Sequence, residues 1–101
     1  MNQQLSDYVA MVQGKVNAGH IRSLNYPDPD TVSVKLGRKY AKVIVTSADG
    51  DSVHTFINMN NGDILKAGSW AAPATNGIRG SIFAADNGAS VVNKHGANYL
   101  K

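Results

Sequence analysis

The chain has no cysteine and no glutamate among its 101 residues, and only three prolines; aromatic residues make up 7% of it. Without cysteine there are no disulfide staples and no thiolate-ligated metal, whichever redox compartment the chain occupies. Without glutamate every acid is Asp, and Asn and Gly each occur ten times. Glu favours helices, whereas Asp, Asn and Gly favour turns, so the composition argues against a helix bundle and for short strands joined tightly. No apolar stretch approaches the ~20 residues of a membrane span. No basic start leads into an apolar signal segment either. The expectation is therefore a soluble, cytoplasmic protein with no membrane partner.

A hydrophobic fraction of 43% is that of a folded chain, and the length suits one domain over residues 1–101. Ten basic residues against seven acids leave a formal charge of +3. That charge is mild, and its placement matters more than its size.

The helical pattern lies at the start. Leu5, Tyr8, Val9, Val12 and Val16 recur at helical spacing, which predicts an amphipathic helix over about residues 3–17, stopped by Asn17-Ala18-Gly19. Residues 25–31, with prolines at 27 and 29, read as an extended connector. The period then changes to two. Strands are predicted at about 31–36, 39–47, 52–59 and 63–67, with Val32, Val34 and Leu36 on one face of the first. In the third, Val53, Thr55, Ile57 and Met59 share a face. Gly37-Arg38, Asp49-Gly50 and Asn61-Gly62 fall between them, and Asp-Gly and Asn-Gly suit the positive backbone angles of hairpin turns. Residues 71–77 read as a loop, 78–85 as a fifth strand or a short helical turn, and 68–101 as mostly irregular, with Tyr99 and Leu100 able to dock the tail.

The expected fold is α+β: an N-terminal helix packed on a four- to five-stranded antiparallel meander. The alternative is a small, curved, Sm-like barrel built from the same order of elements.

Gly62 to Phe83, reading Gly-Asp-Ile-Leu-Lys-Ala-Gly-Ser-Trp-Ala-Ala-Pro-Ala-Thr-Asn-Gly-Ile-Arg-Gly-Ser-Ile-Phe, resembles a signature of small, functionally uncharacterised tailed-phage proteins. Gly37-Arg38-Lys39-Tyr40-Ala41-Lys42-Val43 and the ending Asn98-Tyr99-Leu100-Lys101 resemble the same proteins. The resemblance covers roughly residues 35–101 and leaves the helix unmatched. Members carry Lys after the Trp where this chain has Ala71. The resemblance implies a phage source, and with it the host cytoplasm, and it supplies no active site.

Catalytic and metal signatures are missing. His20, His54 and His95 stand far apart in sequence with no ligand spacing, and Asp49 and Asp51 around Gly50 lack the further oxygens of a calcium loop. No nucleophile elbow is present, and Gly77 to Ser81 lacks the Lys-Ser/Thr ending of a phosphate loop. The expectation is a protein that is not an enzyme, with no cofactor, no metal and no catalytic residues.

Nucleic-acid binding has more behind it. Lys35, Arg38, Lys39 and Lys42 follow one another over residues 31–48 without an acid, and from residue 31 onward eight basic residues face four acids. One register puts Lys35, Tyr40, Lys42, His54 and Phe56 on an outer surface, which Trp70 and Arg79 extend. Cations there would neutralise phosphates, while Tyr40, Phe56 and Trp70 would stack unpaired bases. The plain reading of the same residues is core aromatics and lysines guarding a strand edge. Single-stranded DNA or RNA is thus the leading partner. The runner-up is a host or viral protein held through the loop Trp70-Ala71-Ala72-Pro73, and a strand edge offers a route to a homodimer.

Overall fold

The computed structural model describes residues 2–21 and 28–98. Residues 25–27 of the expected connector and the docking of Tyr99 and Leu100 lie outside the described residues. Helix α1 (Asn2–Gly19) is followed by strands β1 (Thr31–Leu36), β2 (Tyr40–Ser47), β3 (Gly50–Asn58), β4 (Asp63–Ala67) and β5 (Pro73–Ser81). A 3-10 turn (Ala89–Val91) then leads into a small hairpin, β6 (Val92–Asn93) and β7 (Gly96–Ala97). The five long strands form one antiparallel sheet in the order β1-β2-β3-β4-β5. The fold is α+β, with the helix laid on an open sheet. The strands do not close, so the barrel alternative falls away.

Two of the reversals depend on glycine, with Gly50 at φ 129° and Gly62 at φ 78°, in the half of backbone space that side chains disfavour. The helix stripe does the packing. Leu5, Tyr8, Val12 and Val16 are buried against Val32, Ala41, Val43, Ile57 and Ile64 of the sheet, and Ile82 and Val92 complete the core. We call this the inner face.

The helix also settles what happens at the β1 edge. Gln13 accepts a hydrogen bond from Val32 N (2.7 Å) and donates one to Asp30 O (2.8 Å), so its amide takes the place of a neighbouring strand. Beyond that point the cover ends. Val34 and Leu36, expected inward with Val32, are 37% and 65% exposed. They border an apolar groove of about 570 Å³ shared with Leu5, Val9 and Ala10 of α1. Alternation put these residues on the correct side of the strand, and the helix is too displaced to bury them.

The C-terminal third is more ordered than its composition suggests. The loop reading of residues 71–77 gives way to a strand beginning at Pro73, and the described residues 68–98 hold three strands and a 3-10 turn. β5 escapes the alternation test because its pairing with β4 is broken twice: Ile64 faces Gly80, Leu65 faces Ile78, and Ala67 faces Pro73. An irregular strand that begins with proline and holds two glycines has no period to read.

Candidate functional site

On the other side of the sheet, the outer face, register brings together residues that sequence order only lists. Lys35 lies opposite Lys42, Lys42 opposite Phe56, Phe56 opposite Leu65, and Leu65 opposite Ile78, so one row crosses all five strands. The row starts with two cations directly facing each other, an arrangement that destabilises a sheet. The β1–β2 turn, closed by Gly37 N donating to Tyr40 O (3.0 Å), adds Arg38 and Lys39 at the same end.

These residues surround one depression of about 280 Å³, lined by Lys35, Arg38, Lys39, Tyr40, Lys42 and Phe56 together with Ala71. None of its four cations forms a salt bridge with a described residue. The aromatic rings order the site. Tyr40 meets Phe56 edge-on at 6.0 Å, and Lys42 Nζ stands 6.0 Å from the Phe56 ring and 4.2 Å from the Trp70 ring. Lys39 Nζ lies 5.4 Å from the ring of Tyr40.

Trp70 is carried by a pre-formed turn between β4 and β5. Gly68 N and Ser69 N both donate to Ala72 O (3.1 and 3.0 Å), while Ser69 Oγ accepts from Ala71 N and Ala72 N (3.3 and 3.2 Å). The indole is 51% exposed, with one face toward Lys42. Phe56 has the opposite character. At 2% exposure it forms the floor of the depression, and with Ile44 and Leu65 it makes a thin apolar layer under the cations. Stacking against unpaired bases is open to Trp70 and to half-buried Tyr40, and not to Phe56.

Two residues expected on this surface are elsewhere. Between β2 and β3 the register slips by one residue: Val43 faces Thr55 but Ile44 faces Val53, so His54 is the extra residue of a bulge. The bulge turns His54 inward beside Thr55, where it is 2% exposed and edge-on to Tyr8 at 6.4 Å. It also shifts the alternation, so Val53 falls opposite Ile44 on the outer face instead of joining Thr55 and Ile57. Burial pushes the His54 pKa below its usual value, and the neighbouring charges of His95 and Lys15 push the same way, against the bond to Asn93 O. Arg79 is the second exception. It is the extra residue of the β4–β5 bulge, and it donates through Nε to Asn98 O (2.9 Å) and through Nη1 to Asn76 O (2.8 Å), tying β5 to the C-terminal segment.

Sequence reading missed Ser69, whose hydroxyl shapes the Trp70 turn, and Leu65, which backs Phe56. The Ser-x-x spacing ahead of Pro73 is a turn signal in hindsight, while Leu65 needed the register. Among the described residues, no three of His, Cys, Asp and Glu are placed to hold a metal ion, and no helix is long and apolar enough to cross a membrane.

A family model described as a family of unknown function (DUF7717) matches residues 2–99. The chain belongs to that family. The DUF7717 match takes in helix α1, which the tailed-phage resemblance leaves out. No curated protein and no solved structure matches this DUF7717 chain.

Proposed function

We propose that the protein is a non-enzymatic accessory protein of phage origin that binds single-stranded nucleic acid on its outer sheet face, in the host cytoplasm. The observation that carries this reading is the gathering of Lys35, Arg38, Lys39 and Lys42 with Tyr40 around one depression, beside an exposed Trp70. Cations facing each other weaken a sheet, so a polyanion that separates them with phosphates stabilises the arrangement. The exposed indole supplies a platform for a base, worth about 1–3 kcal/mol per stack. His54 and Arg79 have no part in it. The phage source rests on the resemblance of residues 37–43, 62–83 and 98–101.

The test is fluorescence anisotropy of labelled single-stranded DNA and of matching RNA at low and moderate salt. The single tryptophan of the chain serves as a second reporter. The expected result is saturable binding that weakens with salt, quenches Trp70, and disappears in Lys39→Glu/Lys42→Glu. Absence of binding at low salt would retire the proposal.

One observation favours a second reading. Trp70, Ala71 and Ala72 are all exposed on a self-bonded turn, as an apolar contact for a host or viral protein would be. Such a contact keeps its strength as salt rises, whereas counterion release makes a phosphate contact weaken. A homodimer through β1 would have to pair at Val34 and Leu36, since Gln13 already holds Val32 N.

A further inference from the structure

The bulge that withdraws His54 from the outer face gives it a defined place in a buried hydrogen-bond chain. His54 Nε2 lies 2.7 Å from Asn93 O, a carbonyl that can only accept, so Nε2 carries the proton. In the neutral ring Nδ1 is then an acceptor, and its partner at 3.0 Å, Thr55 Oγ1, must donate to it. Thr55 has one hydroxyl proton, now spent, so at the 2.6 Å contact Tyr8 Oη is the donor. The direction is fixed throughout: Tyr8 to Thr55, Thr55 to His54, His54 to Asn93. Four residues link α1, β3 and β6, and Tyr8, Thr55 and His54 are all buried.

What this chain holds down is the smallest unit of the fold. The β6–β7 hairpin is two residues per strand, pairs with neither edge of the main sheet, and buries Val92 and Gly96. Gly96 packs on the backbone of His54 so closely that a Cβ there would stand 2.7 Å from His54 O. A cavity of about 420 Å³ runs along the contact, lined by Lys66, Asn93 and His95 among others, and gives water a path to the ring.

We propose that His54 is a pH-sensitive latch, and that protonating it lifts the β6–β7 hairpin from the inner face while the five-stranded sheet stays folded. A proton arriving at Nδ1 turns that atom into a donor facing a donor. Thr55 must turn its own proton away so that its oxygen accepts from both Nδ1–H and Tyr8 Oη, and in a fully buried site that displaced proton gives up the hydrogen bond it made to the ring. The imidazolium is also surrounded by positive charge. Lys15 from α1 and His95 from the hairpin turn oppose its charge, Lys66 of β4 lines the same cavity, and Tyr8 is the titratable group edge-on to the ring. Releasing Asn93 lets the ring turn to water, so opening and protonation favour each other.

The experiment is amide hydrogen exchange on the whole chain at pH 7.5 and pH 5, corrected for intrinsic rates, comparing residues 92–97 with β2 and β3. An open-state His near its reference pKa of about 6.5 raises hairpin opening by up to about 30-fold at pH 5. Protection in β2 and β3 is expected to change far less. His54→Gln keeps a donor for Asn93 O and an acceptor for Thr55 without titrating, and should flatten the hairpin's response. His95→Gln, which removes the exposed titrating group in the turn, should retain it. Equal hairpin protection at the two pH values, or an unchanged response in His54→Gln, overturns the proposal. Should His54→Gln fail to fold, nitrogen NMR of the native protein decides. A neutral Nε2–H tautomer whose titration coincides with hairpin opening supports the latch, and any other outcome refutes it.

Discussion

The two faces of the same sheet are built on opposite rules. On the inner face Tyr8 and Val12 of the helix are buried against Val43, Ile57 and Ile64 of the sheet, and Tyr8, Thr55 and His54 form a directed hydrogen-bond chain. The outer face has an apolar layer of Ile44, Phe56 and Leu65, and above it stand four cations with no salt bridge to a described residue, beside an exposed indole. One face packs apolar residues against each other wherever the helix covers it, whereas the other places Lys35 against Lys42. A like-charge pair tolerated on the open face is a departure from local stability, and the proposed contact would relieve it. The difference teaches that the helix side supplies the fold and the open side is free to supply function.

That contrast can be broken most forcefully from within. Ile57→Ala removes a fully buried side chain from the inner face and is expected to cost about 3 kcal/mol in urea unfolding. The same truncation would leave oligonucleotide affinity unchanged wherever the protein remains folded. Thr55→Val keeps the shape but strands the Tyr8 hydroxyl and His54 Nδ1, and should cost about 2 kcal/mol. On the outer face the pattern reverses. Trp70→Ala is expected to shift unfolding by no more than about 0.5 kcal/mol. It should weaken binding of a labelled single strand about tenfold or more, as loss of one stacked base implies. Lys39→Gln is milder, reducing the slope of log affinity against log salt by about 0.7, the share of one single-strand phosphate contact.

Acid tests the inner face through His54. Burial holds the folded-state pKa of His54 below the unfolded value of about 6.5, so between the two the unfolded chain binds more protons. The stabilisation is complete above about pH 6.5 and is lost as pH falls from there toward the depressed folded value. The thermal midpoint should therefore drop on going from pH 7 to pH 5, and His54→Gln should reduce that drop. Tyr8 titrates the other way: burial pushes its phenol upward, outweighing the bond to Thr55, so it stays protonated through any physiological range.

Much of the candidate surface was legible because it is local. Lys35, Arg38, Lys39, Tyr40 and Lys42 span one hairpin, and two-residue alternation around a tight turn is enough to place them together. Phe56 joined them by the same parity. His54 did not, since a bulge of one residue reverses every assignment beyond it and leaves no mark in composition. Arg79 sits at the second bulge, where its Nε and Nη1 hold the carbonyls of Asn98 and Asn76, a placement that sequence order does not show.

The helix, the reversals at Asp49-Gly50 and Asn61-Gly62, and the antiparallel order of the first four strands could be read from local residue patterns, because each depends on neighbours within a few residues. Only the tertiary structure decided how far α1 covers β1, where the bulges fall, how β5 adds to β4, and that Phe56 lies beneath the cations while Trp70 stands among them. Those outcomes depend on register between strands and on which surfaces compete for burial, and both are properties of contacts between segments distant in the chain.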